Sequence, residues 1–187
     1  MTGLAWIVVP TYNEAANLEP LLGGVRAAVP DARILVVDDG SPDGTGELAD
    51  VLAGRDGNVE VLRRPGKAGL GLAYVSGFAH ALRGGAGYVV EMDADLSHDP
   101  ADVPRLLERA RAGADLVLGS RYVDGGGVED WDVLRRVLSR GGCRYARTVL
   151  GVEIRDLTGG FKCFRAETLR LIDFETVRSE EIGRAHV

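Results

Sequence analysis

The chain predicts an α/β fold in which a mostly parallel sheet is covered by helices on both faces. Three observations point there. Short apolar runs alternate with helix-length segments along most of the chain, as in strand–helix–strand units. Acidic residues follow two of those runs directly, at Asp38-Asp39 and at Asp93-Ala94-Asp95. Open α/β sheets bind ligands at that edge, beyond the carboxyl ends of their strands. Finally, 187 residues with 45% hydrophobic content are enough for one domain with a real core.

In chain order, Ala5 to Val9 reads as a first strand ended by Pro10, and Glu14 to Ala28 as a helix with Asn13 as its cap. Ile34 to Val37 is a second strand and Gly44 to Ala53 a second helix. Val59 to Leu62, Gly69 to Leu82 and Tyr88 to Met92 continue the alternation as strand, helix and strand. Pro100 to Ala112 is a fourth helix and Leu116 to Leu118 a fifth strand. Gly125-Gly126-Gly127 reads as a hinge before a helical segment from Trp131 to Leu150. There Arg136, Arg140 and Arg144 share one face. Gly159-Gly160 opens a last loop, and Ala166 to Ile172 is a further helix.

Composition excludes several classes. A net charge of −6 argues against bulk nucleic-acid binding. Cys143 and Cys163 fit neither a zinc pattern nor a disulfide framework, which points to a reducing compartment. Met1 to Trp6 lacks the basic and apolar regions of a signal peptide. No apolar run approaches the roughly 20 residues that span a bilayer, so any membrane contact is expected from the surface.

The sharpest chemical signal is Asp93-Ala94-Asp95. Strand alternation places both carboxylates on one side, where their repulsion calls for a cation. A hard divalent ion such as Mg2+ or Mn2+ takes oxygen ligands and could bridge them to a diphosphate. Ser97 and His98 follow within reach. The plainer alternative is an Asx-rich loop that caps the helix at Pro100. Val9-Pro10-Thr11-Tyr12-Asn13-Glu14 puts an aromatic ring and a helix N-terminus at the same edge, which suits a base and an anion, although a simple capped turn also fits. Asp38-Asp39-Gly40-Ser41-Pro42-Asp43-Gly44-Thr45 offers acceptors for a ribose or base, or a turn rich in Asp, Gly and Pro. Gly66 to Ala73 is glycine-rich but lacks the lysine and hydroxyl of a P-loop, and Tyr74 stands in the third position of the dinucleotide fingerprint. Arg121 follows the fifth strand and could pair with phosphate or with a surface acid. The arginine-bearing segment could hold a phosphate, lie on anionic lipid, or be a solvated basic face.

Taken in order, Val9 to Glu14, Val36 to Thr45, Met92 to Pro100, Gly119 to Tyr122 and Asp156 to Phe164 resemble the dolichol- or polyprenol-phosphate mannosyltransferases. These belong to the family 2 glycosyltransferases of the GT-A fold, a Rossmann-like sheet. The resemblance implies transfer of mannose from GDP-mannose to a polyprenyl monophosphate with inversion. It implies that Pro10, Tyr12, Glu14, Val37 and Asp39 surround the guanosine, and that Asp93 and Asp95 meet the metal and diphosphate beside the Ala94 backbone. Arg121 is then expected near the diphosphate or the sugar, with Asp95 and Arg121 carrying catalysis. Arg136 and Ser139 are expected at the acceptor phosphate. The setting implied is the cytoplasmic face of a membrane, with a membrane-anchoring partner left open. The alternatives are a UDP-sugar enzyme of the same superfamily and a non-catalytic nucleotide-sugar-binding fragment. The family continues beyond this chain, so residues 1–177 are expected to be a C-terminally truncated catalytic domain. One reverse translation of Ile182 to Val187 reads as a sequencing adapter, so residues 178–187 are expected to be a non-native tail.

Overall fold

The computed structural model describes residues 3–119, 160–172 and 174. The expected hinge, the arginine-bearing helix, Arg121, Arg136, Ser139, the Asp156 to Gly159 part of the Asp156 to Phe164 stretch and the tail lie outside them. In chain order the elements are β1 (Ala5–Thr11), α1 (Ala15–Ala28), β2 (Arg33–Asp38), α2 (Thr45–Arg55), β3 (Val59–Arg63) and α3 (Leu70–Arg83). There follow β4 (Tyr88–Glu91), a 3-10 turn (Pro100–Asp102), α4 (Val103–Arg111), β5 (Leu116–Leu118), β6 (Lys162–Arg165) and α5 (Ala166–Leu171).

These strands form one sheet in the order β3-β2-β1-β4-β6-β5. β1 to β4 run parallel, while β6 is antiparallel to both neighbours. Alternate residues of the central strands feed two cores. Ile7, Val9, Ile34 and Val36 pack with Leu18, Leu21, Val25, Leu106 and Leu107, so α1 and α4 cover one face. Trp6, Val8, Leu35 and Val37 pack with Tyr74, Phe78, Ala81 and Leu169 of α3 and α5 on the other. Burial on both faces explains why these strands read as unbroken apolar runs.

Three expectations need correction. Pro10 does not end β1. In a parallel sheet the backbone groups of successive residues face opposite neighbours. The Val8 carbonyl accepts from Met92 N, whereas the Thr11 carbonyl accepts from Asp39 N. Pro10 therefore faces the β4 side at a level where β4 has already stopped, and its missing N–H costs no ladder bond. Asn13 does not cap α1. It takes a left-handed backbone with φ of 63°, and the Glu14 and Ala15 amides are met by Thr45 Oγ1 and Asp43 Oδ2 from the β2–α2 loop, at 2.9 and 3.1 Å. The segment after Gly160 is not a loop but strand β6, inserted between β4 and β5.

α3 lies close on β1 because residue 77 is glycine. A Cβ there would overlap the Val8 side chain and crowd Val37. Helix propensity alone favours alanine over glycine by about 1 kcal/mol, but overpacking a tight contact costs about 1–3 kcal/mol. Gly77→Ala is therefore expected to lose stability in urea denaturation. A gain would show that the α3–β1 contact relaxes freely.

Candidate active site

The carboxyl edge of the sheet gathers most of the candidate residues. Pro10 and Val37 are register partners on β1 and β2, both buried, and they form the floor of that edge. Tyr12 projects from the turn beyond, 37% exposed, with Lys67 Nζ 4.5 Å from its ring centroid. Glu14 stands at the mouth of α1 and accepts from Asn17 Nδ2 at 2.8 Å.

The two members of the first acid pair have different work. Asp38 is fully buried and ties the turn together, accepting from Ser41 Oγ at 2.6 Å and Thr11 Oγ1 at 3.3 Å, with Arg63 3.6 Å away. Asp39 is nearly buried and forms an ion pair with Arg64 at 2.5 Å, while its second oxygen faces the Ala68 amide at 3.3 Å. Charge-assisted pairing of this kind fixes the direction of a buried carboxylate. Arg64 was not among the expected site residues. Its signal was its position, directly after a parallel strand and level with the acids of the next strand.

The second acid pair does not lie on a strand, so the alternation argument fails for it. β4 ends at Glu91, and Asp93 and Asp95 occupy the turn beyond. That turn holds Leu96 in a left-handed conformation, φ 59°, which L side chains with a branched apolar group rarely adopt. Asp95 is exposed, and its Oδ1 accepts from Ser97 N at 3.0 Å. Ala94 is buried beneath it. Asp93 is half-buried and firmly held: Tyr74 Oη donates to Oδ1 at 2.8 Å, and His98 Nε2 lies 3.8 Å from Oδ2. Burial works against the Asp93 anion. The neighbouring His98 and Tyr74 donors and the charges of His98 and Lys162 outweigh it, so the carboxyl sits below its usual range and is ionised at neutral pH.

Among the described residues no three His, Cys, Asp or Glu side chains converge as a closed metal cage. Two hard carboxylates, one anchored and one open to solvent, fit a different kind of site. Mg2+ and Mn2+ are commonly held by one or two carboxylates, with the substrate's phosphates and water completing the shell. Tyr74 and His98 supply the outer contacts such a ligand needs for a fixed direction.

Elsewhere, Cys163 is fully buried in β6, and burial pushes its thiol up to about 12, so it is a packing residue rather than a nucleophile. A groove of about 550 Å3 lined by Leu82, Leu169 and Leu171 lies at the far end of α3, away from the acids. No helix among the described residues is long and apolar enough to cross a membrane.

A parallel sheet with one antiparallel insertion, with the Asp38-Asp39 pair at the end of β2 and an acid turn beyond β4, defines the GT-A class. Residues 6–172 match the model of the glycosyl transferase family 2, and the chain belongs to that family. It is 52% identical over 175 residues to the polyprenol monophosphomannose synthase of Mycolicibacterium smegmatis, covering 93% of this chain and 66% of that one. It is 49% identical over 176 residues to the undecaprenyl-phosphate mannosyltransferase of Micrococcus luteus, covering 94% and 72%. The fold matches that of a mannosyltransferase from Pyrobaculum calidifontis solved with GDP-Man and Mn2+. The TM-score is 0.61 at 18% identity, over 90% of this chain and 46% of that one. The chain thus spans about two thirds of the length of these two relatives.

Proposed function

We propose that the chain carries the donor-binding part of an inverting mannosyltransferase that moves mannose from GDP-mannose to a polyprenyl monophosphate. The observation that carries this reading is identity of 49–52% to two polyprenyl-phosphate mannosyl enzymes over nearly the whole chain. Pro10, Tyr12, Glu14, Val37 and Asp39 then hold the guanosine. The Asp39–Arg64 pair offers acceptor and donor atoms side by side, which suits the mixed edge of guanine.

Asp93 and Asp95 would hold Mg2+ or Mn2+, which would supply charge neutralisation for the departing diphosphate. The acceptor needs little activation, because a phosphate monoester has a second pKa near about 6 and is largely dianionic at pH 7. Its oxygen attacks the anomeric carbon in line with the breaking bond to GDP, so an α-linked donor gives a β-linked product. The protein's task is alignment and charge stabilisation, and no general base is required. Arg121 is assigned to the diphosphate or the sugar, and Arg136 and Ser139 to the acceptor phosphate. We place the reaction at the cytoplasmic face of a membrane, with room for a membrane-anchoring partner.

Radiolabelled GDP-mannose with short polyprenyl phosphates, with and without Mg2+ or Mn2+, tests this directly. Labelled lipid is expected only with the cation, and unlabelled GDP is expected to compete at least about tenfold better than UDP, the ratio one good base contact supplies. Stronger competition by UDP would transfer the assignment to a UDP-sugar enzyme, and cation-independent labelling would remove the metal from it.

A further inference from the structure

The Asp93 carboxylate is enclosed by a segment from a distant part of the chain. Gly160 leads into β6, and any Cβ at that position would stand 2.5 Å from Asp93 Oδ2 and 3.2 Å from its Cγ. The next residue, Phe161, is buried and stacks on the His98 ring at 5.0 Å and 14°, which sets the plane of the imidazole facing Oδ2. On the opposite side, Tyr74 rises from α3, buried against Phe78, and gives its hydroxyl to Oδ1. A buried phenol needs a partner, and Asp93 is that partner. Burial first, then the charges of Asp93 and Glu91, keep this phenol protonated and donating.

We propose that Gly160, Phe161 and His98 on one side and Tyr74 on the other are positioning residues for Asp93. The glycine-phenylalanine step, part of the Asp156 to Phe164 stretch that carries the family resemblance, then acts on metal and donor binding. The inference rests on the assignment of Asp93 to the metal and diphosphate. It turns on space as well as contact. The absent side chain at 160 leaves room for one orientation of the carboxylate, and Tyr74 and His98 hold it there. Outer contacts of this kind are worth about 10–100-fold in metal affinity when removed.

The experiment uses the full chain and two variants, Gly160→Ala and Tyr74→Phe. Binding of GDP is measured by calorimetry with Mn2+ and with EDTA, and KM for a short polyprenyl phosphate is measured at saturating GDP-mannose. Both variants are expected to lose about 10–100-fold in Mn2+-dependent GDP affinity. GDP binding in EDTA and the acceptor KM are expected to hold. Tyr74→Phe keeps the ring in place and decides the matter alone if Gly160→Ala fails to fold. Wild-type affinity in Tyr74→Phe, an equal loss with and without Mn2+, or a loss confined to the acceptor KM overturns the proposal. A wild type that binds Mn2+ and GDP yet transfers no mannose refutes the mannosyl reading alone. A wild type with no Mn2+-dependent affinity refutes both.

Discussion

Asp95→Ala is expected to reduce cation-dependent mannosyl transfer by about 100–1,000-fold, the usual effect of deleting one preorganised charge stabiliser. The same change should leave the fold almost untouched. Asp95 is exposed and, among the described residues, its one hydrogen bond is with the Ser97 amide of its own turn, so its removal is expected to cost no more than about 0.5 kcal/mol. Asp93→Ala is a poorer probe because it also strands the buried Tyr74 hydroxyl, at about 1–3 kcal/mol. Turnover measured beside thermal unfolding separates the two effects. Near-normal turnover in Asp95→Ala would remove the carboxylate from the mechanism.

Lys162→Met is expected to give the largest loss of stability. Lys162 and Glu91 are register partners across β4 and β6, 2.9 Å apart, with side chains only 15% and 5% exposed. Removing one partner of such a pair leaves a buried charge and costs about 3–5 kcal/mol. Burial raises the Glu91 carboxyl above its ordinary 4.5, with Lys162 pulling it back and Asp93 adding to the rise. A carboxyl raised on folding favours the native state while protonated. That contribution is full below 4.5 and is lost as pH rises through the folded value. Without Lys162 the folded value climbs further, so the deficit against wild type should be small near the acid end and grow toward pH 8. Urea denaturation at pH 5 and pH 8 measures it. A deficit that does not change with pH would mean Glu91 stays ionised without its partner. Adding Glu91→Gln to Lys162→Met should recover most of the loss, because no buried charge is then left unpaired.

Most of the sheet and its helices could be read from the chain because buried parallel strands are local signals, and β5 begins and ends where expected. The failures are all non-local. β6 is four residues after a glycine pair, and only its distant partners β4 and β5 make it a strand. Pro10 continues β1 because a neighbouring strand happens to stop there. At the candidate site, residue types were legible and their arrangement was not. Asp93 and Asp95 read in the sequence as an acid pair on one side of a strand end, whereas the side they face depends on where β4 stops and on a left-handed Leu96. Tyr74 registered only as a misfit to a glycine motif, since its partner Asp93 lies 19 residues on. The pairing of Arg64 with Asp39 spans 25 residues and leaves no periodic trace.

The borrowed cap of α1 bears on the order in which this protein can fold. The amides that open the first helix find their acceptors on Asp43 and Thr45, about thirty residues downstream. During synthesis, the nascent first helix has no side-chain acceptors for those amides until the second crossover has left the ribosome. An isolated fourteen-residue helix is marginal in water. The first two strand–helix units are thus bound to become native together, and the turn that carries Asp38 and Asp39 is assembled in the same step.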